Sequence, residues 1–483
     1  MGGSVDGTLA HNEFVTKQLH TDPAWKGFRL MSRSLRYLLA IVALAVIALG
    51  AAQTRINVIS FSQGFAFPDL FGSSGTEKSD RLLAFEKENN IVVNMEWGDE
   101  SAVRQKVLTD LISGTGRYDV ILLGTDGAVQ TYGYAGFLEP LNAYLESGDF
   151  DAWFDLEDIY PSIIEANTVE GNVYGMSYYA FGPGMVYRTD IFDRYDVEVP
   201  TTMVEFEAAM AKLKAGLAAD GISDVYPLTM RAGPGEEPSL DVTGFVYAYA
   251  GYPAWFEGGA ATVEDIKANK AQPDFTGAFR PGFEAFVRLA REYGPPGIAT
   301  HTWVDMMNLY SQGKAVVLFP SAINAYAGIG STELAEVRDN SAFAAVPVGP
   351  SGKQVQSFWS FSFGINAASR NKDDAMKVLA LLTGHDALQA FADMTVWPAA
   401  PYASVMRSDT LINRYGEEEV LLNEEAMRDS ETHYFPYIPE LADFMFQIGT
   451  ATSQAVSTGD VTRALADLQK WAVETMTAAG YYR

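Results

Sequence analysis

FSFGINAASRNKDDAMKVLALL, residues 361–382, reads as an apolar strand, a turn of small residues and then a helix. Ser369 is placed to cap that helix, Asp373 and Asp374 fall in its positive first turn, and Ala375, Val378, Leu379 and Leu382 share one face. A strand that feeds a helix normally sits in a parallel sheet. The architecture turns on which sheet this strand joins: one made by the residues just before it, or one begun near residue 56.

The first stretch beyond residue 53 alternates. INVISF (56–61), IVVNMEW (91–97) and YDVILLG (118–124) read as strands, with helices at KSDRLLAFEKE (78–88) and SAVRQKVLTDLI (101–112) between them. The third strand is almost wholly apolar, as expected where helices cover both faces of a sheet. This order predicts an open, right-handed parallel sheet, and such sheets bind ligands beyond the carboxyl ends of their strands. Those ends carry Ser62-Gln63-Gly64-Phe65, Gly98-Asp99-Glu100 and Gly124-Thr125-Asp126-Gly127.

A second block has its own strands. NVYGMSYYAFGPGMVYRTDIF (172–192) holds two of them around a Gly-Pro-Gly turn, and VYPLTMR (225–231), KAVVLFP (314–320) and FAAVPVG (343–349) supply others. Helices are expected at 199–215, with Thr202 and Glu205 spaced as a capping box, at 279–293 and 302–313, and, as an aromatic-rich helix and turn, at 238–255. The block therefore predicts a second α/β lobe. GFLEPLNAYL (136–145) reads as a turn and a short helix.

The chain of 483 residues is long enough for two or three cores. It has no cysteine, which excludes disulfides, thiolate metal sites and a cysteine nucleophile. A net charge of -27 argues against nucleic acid and against an anionic membrane surface, since both require basic patches. Arg33 and Arg36, the apolar run at 37–49 and Gly50-Ala51-Ala52 together form an export signal. Its 13 apolar residues would span only about 20 Å as a helix, too short for a bilayer. Residues 1–52 are thus expected to be an upstream segment and a cleaved signal peptide, with Met31 as an alternative start and a mature chain from near Gln53. Removing five basic and three acidic residues leaves 29 basic against 58 acidic, a net charge of -29.

Catalytic motifs are missing: there is no GxSxG, P-loop, HExxH, or GxGxxG after a strand. His301, His385 and His433 are scattered, and the acidic run at 149–158 lacks the spacing of a calcium loop. No catalytic residue, metal ligand or cofactor is therefore assigned. The informative residues are aromatic. Trp97, Trp153, Trp255, Trp303, Trp359, Trp397 and Trp471 accompany tyrosine-rich stretches such as Tyr178-Tyr179. Aromatic faces can stack on the C–H faces of sugars, and Trp255, Trp359 and Trp397 each lie beside Pro, Ser or Gly at the end of an element.

In order, these stretches resemble the extracellular solute-binding proteins of ABC importers, the family 1 carbohydrate binders of the maltose-binding-protein type. YDVILLG with GFLEPLNAYL is similar to the family's first-lobe strand and Pro-Leu segment. VYGMSYYAFGPGMVYRTDIFDRYDVEVPTTMVEFEAAMAKL is similar to its crossover into the second lobe, and YSQGKAVVLF and FSFGINAASRNKDDAMKVLALL to two later strands. The tail from His433 to Met476 resembles the subgroup that binds sugar alcohols and glycosides. Met176-Ser177-Tyr178, Arg188-Thr189 and TVWPAAPYAS (395–404) depart from the family pattern.

The resemblance implies a two-lobed, type II-like periplasmic-binding-protein fold, each lobe an open, mostly parallel sheet flanked by helices. Residues 55–166 with 358–395 would form the first lobe, and 167–357 with 396–483 the second, with hinges near 167–175 and 356–360. The strand at 358–366 would return to the first lobe and pair near 118–124. The implied function is that of a periplasmic, monomeric receptor that traps a carbohydrate or polyol by hinge closure and delivers it to an ABC permease. Implied ligand contacts are Gln63, Glu100, Thr125, Asp126 and Trp359 on the first lobe. On the second they are Tyr178, Tyr179, Arg231, Trp255, Ser321 and Trp397. Two alternatives stand beside this reading: a secreted glycoside hydrolase using paired carboxylates, and a binding protein for a non-sugar solute such as a polyamine or oligopeptide.

Overall fold

Eleven strands are present among the described residues of the computed structural model: β1 (Thr54–Phe61), β2 (Ile91–Gly98), β3 (Val120–Leu123), β4 (Thr168–Val169), β5 (Asn172–Val173), β6 (Met176–Phe181), β7 (Gly184–Arg188), β8 (Tyr226–Thr229), β9 (Ala315–Ser321), β10 (Ser341–Ala344) and β11 (Trp359–Ile365). The structure describes residues 53–482 except 62–66, 73, 125, 126, 322, 357 and 396–399, and it does not describe the side chains of Glu100 and Ser101. The export signal lies outside the described residues.

Five strands make the first sheet, in the order β2-β1-β3-β11-β6, and four make the second, β10-β7-β9-β8. Strand β11 lies in the first sheet, with Ser362 opposite Leu123 and Ile365 opposite Val120. Buried polar groups explain why it docks there. The Asn366 N–H donates to the Asp119 carbonyl at 3.0 Å, and the Ser369 hydroxyl donates to Asp119 Oδ1 at 2.6 Å. Asn366 Nδ2 donates to Asp110 Oδ2 at 3.0 Å. Gly116, at φ +61°, lets the turn approach so closely that a Cβ there would lie 2.5 Å from the Ala368 carbonyl oxygen. Ser369 is therefore not the helix cap: the helix spans Lys372–Thr383 with Asn371 at its N-cap, and Ser369 is buried against the sheet.

The sheets are mixed, not mostly parallel. β1 is parallel to β2 and β3, and β8 to β9, but β11 runs antiparallel to both β3 and β6, and β7 antiparallel to both β9 and β10. The cause is the interlobe traffic. A strand that leaves for the other lobe must run toward the cleft, and one that arrives must run away from it. β6 leaves and β7 arrives, with only Gly182 and Pro183 between them. The first passage is thus at 182–183 and not at 167–175, and β6 belongs to the first sheet although its residues were expected in the second lobe. The second passage lies between β10 and β11, which includes 356–358. β10 ends at Ala344, short of the strand expected at 343–349.

Most helices form where their sequence signals lie. Asp80–Asn89 and Glu100–Ser113 are capped by Ser79 and Asp99. Met203–Ala219 starts with the Thr202–Glu205 capping box, and a second box, Thr302–Asp305, starts Trp303–Ser311. Leu441–Thr458 packs on Glu237–Ala250 and Arg280–Tyr293, and also against Val461–Ala478, in the second lobe. The tail as a whole is divided, because the Ala403 N–H donates to the Asp158 carbonyl and Tyr402 pairs with Ile159 of the first lobe. Helix Glu417–Arg428 touches both β6 and β10, one strand from each sheet. No helix of the described residues is long and apolar enough to cross a membrane.

Candidate functional site

The carboxyl end of β8 faces the start of β11. Just beyond β8, Arg231 is 5 % exposed and grips Asp241 through two hydrogen bonds, Nε to Oδ2 at 2.5 Å and Nη2 to Oδ1 at 2.6 Å. Asp241 is fully buried in the second turn of helix Glu237–Ala250. The planar fork of a guanidinium suits such bidentate pairing, which fixes its orientation as well as its charge. Burial alone would lower the Arg231 pKa, but Asp241 outweighs burial and the net shift is upward. The Arg231 guanidinium carbon lies 4.8 Å from the ring centroid of Trp359, the first residue of β11 in the other lobe. Trp359 is partly exposed and is held between Phe181 and Phe361, both stacked on it at 6.2 and 6.3 Å. A second-lobe cation and a first-lobe aromatic face therefore meet across the space between the sheets.

Beside this contact lies a cavity of about 30 Å³. Gln130, Asn167, Ser360 and Ser362 line it from the first lobe, and Thr432, Tyr434 and Phe435 from the tail. Ser177, Ser360 and Ser362 form a buried triangle of hydroxyls with edges of 2.5, 3.0 and 3.3 Å. Asn167 Nδ2 donates to the Ile163 carbonyl and to Ser177 Oγ. The Tyr434 hydroxyl is buried and has no hydrogen-bond partner among the described residues. Burial pushes its pKa well up, nearby Asp241 adds to the rise and Arg231 opposes it, so the phenol keeps its proton.

The tail segment is tied across the cleft. Tyr247 donates to Glu431 Oε2 at 2.9 Å, the Glu431 N–H donates to Gln356 Oε1 at 3.2 Å, and His433 Nδ1 lies 3.3 Å from Glu165 Oε1 of the first lobe. A larger hollow of about 820 Å³, edged by Lys214, Arg291 and Tyr293, opens at the opposite, amino-terminal end of β8. Among the described residues no group of three or more His, Cys, Asp or Glu could hold a metal ion.

Of the residues expected at the site, Arg231 and Trp359 are brought together. Ser321 ends β9, paired with Gly184. Gln63, Thr125, Asp126 and Trp397 lie outside the described residues, as does the side chain of Glu100. Tyr178 and Tyr179 sit in β6, hence in the first sheet and not the second. Tyr178 packs on Phe67 and Phe363, and Tyr179 on Phe361 and Phe391. Trp255 is placed within the second-lobe core: it is 1 % exposed, stacks on Phe444 at 5.9 Å and 15°, and donates from Nε1 to Thr243 Oγ1. Sequence reasoning missed Asp241, Ser360, Ser362, Thr432 and Tyr434. The two serines did leave a signal, since they alternate with Trp359, Phe361 and Phe363 in an otherwise buried strand, and buried polar side chains need partners.

Residues 72–389 match the family model described as bacterial extracellular solute-binding protein. The mannitol-binding protein of Pseudomonas aeruginosa is 25% identical over 346 residues, 70% of this chain and 70% of its own. Among solved structures, the ABC transporter solute-binding protein of Agrobacterium vitis with bound D-mannitol superposes with a TM-score of 0.71 at 22% identity, covering 89% of this chain and 100% of that one. That of Agrobacterium radiobacter in complex with ribitol gives 0.70 at 18% identity, covering 87% and 98%. These structural likenesses speak for the two-lobed fold.

Proposed function

Because the chain belongs to the family of bacterial extracellular solute-binding proteins, we propose that it captures a small polyhydroxylated ligand, a sugar alcohol foremost, between its lobes for an ABC permease. The observation that carries this reading is the meeting of Arg231, braced by Asp241, with Trp359 across the two sheets. A guanidinium edge donates hydrogen bonds to hydroxyls, and an indole face takes the C–H side of the same ligand. The buried serines and Tyr434 add hydroxyl donors and acceptors nearby. The mannitol-binding relative, and the mannitol and ribitol held by the two similar structures, support the same ligand class.

Capture works by population shift. A ligand that touches only one lobe stabilises the open and closed forms equally, whereas one that touches both favours closure. The chain passages at 182–183 and between β10 and β11 are the points about which the lobes would turn. Export through the segment at 31–52, a periplasmic location and action as a monomer complete the proposal.

The hydrolase alternative falls away because the family is one of binding proteins and the matched relative is named as one. A polyamine would set its cationic groups beside the Arg231 guanidinium, an unfavourable placement. Titration calorimetry of the chain from residue 53 tests the reading with erythritol, ribitol, D-mannitol, maltose and spermidine. At least one polyhydroxylated compound should bind and be recovered intact. Binding of spermidine alone, or turnover of the ligand, overturns the proposal.

A further inference from the structure

We infer that the cavity beneath Tyr434 is a subsite for the terminal hydroxymethyl group of an acyclic alditol, and that Tyr434 is its specificity-determining residue. The inference rests on the ligand reading proposed above and narrows it from polyhydroxylated compounds to open-chain ones with a free end.

Size is the first argument. The cavity holds about 30 Å³, room for a small polar group. A CH₂OH group fits that space. Chemistry is the second. Tyr434, 1 % exposed, lines this cavity, and its buried hydroxyl lacks a partner among the described residues. Leaving such a donor unpaired costs free energy that a ligand acceptor would recover. Ser360 and Ser362 also line the cavity, and their hydroxyls have lone pairs left beyond their contacts with each other and with Ser177. One ligand hydroxyl can therefore accept from Tyr434 and donate to a serine. Phe358 and Phe435 supply apolar wall for its methylene.

Position is the third argument. Phe358 and Ser360, the chain neighbours of Trp359, both line the cavity, so it adjoins the Arg231–Trp359 contact. An alditol chain would run from the hydroxymethyl subsite toward the guanidinium and the indole. The serines come from the first lobe and Tyr434 from the tail tied to the second, so this one group would be gripped from both sides.

Calorimetry with D-mannitol and 1,6-dideoxy-D-mannitol tests this on the wild-type chain; the dideoxy compound lacks both terminal hydroxyls, so it cannot reverse to present an intact end. The wild type should bind it about tenfold or more weakly than D-mannitol, the scale of an unpaired buried polar group. Tyr434→Phe should lose a similar factor on D-mannitol and most of the discrimination between the two compounds. Ser360→Ala is the second variant and should also reduce the discrimination, with thermal unfolding confirming that each variant is folded. Equal binding of the two alditols by the wild type overturns the inference, and so does full wild-type discrimination by folded Tyr434→Phe. Binding of maltose without any alditol overturns the subsite while leaving the proposed function standing. Binding of no polyhydroxylated compound overturns both.

Discussion

Two tryptophans that look alike in sequence take different fates, and the difference sits in what each neighbouring turn does. Trp359 opens β11 at the edge facing the other lobe, so part of its ring stays exposed between two stacked phenylalanines. Trp255 follows Gly251, whose φ of +84° ends helix Glu237–Ala250 and turns the chain back into the core beside Phe275 and Phe444. Trp359→Ala should therefore weaken alditol binding by roughly 1–3 kcal/mol, the worth of a lost aromatic contact, with a smaller effect on folding. Trp255→Ala should cost roughly 3–5 kcal/mol of stability, as large-to-small changes in a packed core do, and leave the affinity of the folded fraction unchanged. Urea denaturation and calorimetry on the two variants check both halves. The reverse pattern would move the ligand away from β11 and into the second-lobe helices.

Whole elements were legible where their causes are local. Thr202 with Glu205, the alternating strands before residue 125 and the apolar face of Lys372–Thr383 could each be read in a short window. The Glu205 carboxyl is held below its usual range, first by the Thr201 hydroxyl and then by the Thr201 and Thr202 N–H groups. A depressed carboxyl pKa means that the unfolded chain binds more protons between the two pKa values. The stabilisation is thus present above the unfolded carboxylate pKa and is lost as the pH falls through the folded one. Glu205→Ala should then be less stable than wild type at neutral pH, with the gap narrowing on acidification; a gap that is constant with pH would show that the ionised carboxyl is not its source. What sequence could not show was long-range. That β11 runs antiparallel, and that β6 belongs with it, follows from where the chain crosses between lobes. Ser369 looked like a cap because its partner Asp119, 250 residues earlier, is invisible to local reading. The site failed in the same way: Arg231 could be named through the family resemblance, but its brace Asp241 and the unpaired Tyr434 emerge only when helix and tail are packed.

At the scale of the molecule, repeated passages make two bodies move as a pair, and the tail decides how freely. Gly182 stands at the narrowest passage, where a Cβ would lie 2.4 Å from the Ala426 carbonyl carbon. Helix Glu417–Arg428 has little room to yield there. Its Glu424 is 2 % exposed and gripped by Arg407 and Arg428, and the Met427 carbonyl accepts from Ser162 of the first lobe. A side chain at 182 must therefore displace the passage itself, beside Phe181, the cross-strand partner of Trp359. In the wild type, saturating ligand should contract the particle, seen as a fall in radius of gyration by small-angle X-ray scattering. At a ligand concentration 100 times the dissociation constant it should also raise the unfolding free energy by about 2.7 kcal/mol. Gly182→Val removes none of the proposed ligand-contacting side chains but should contract less and bind more weakly, because the contacts from the two lobes can no longer be made together and a ligand held by one lobe has no differential grip on the closed form. If the folded variant contracts and binds as the wild type does, the lobes turn about some other passage and the segment between β10 and β11 must carry the motion alone.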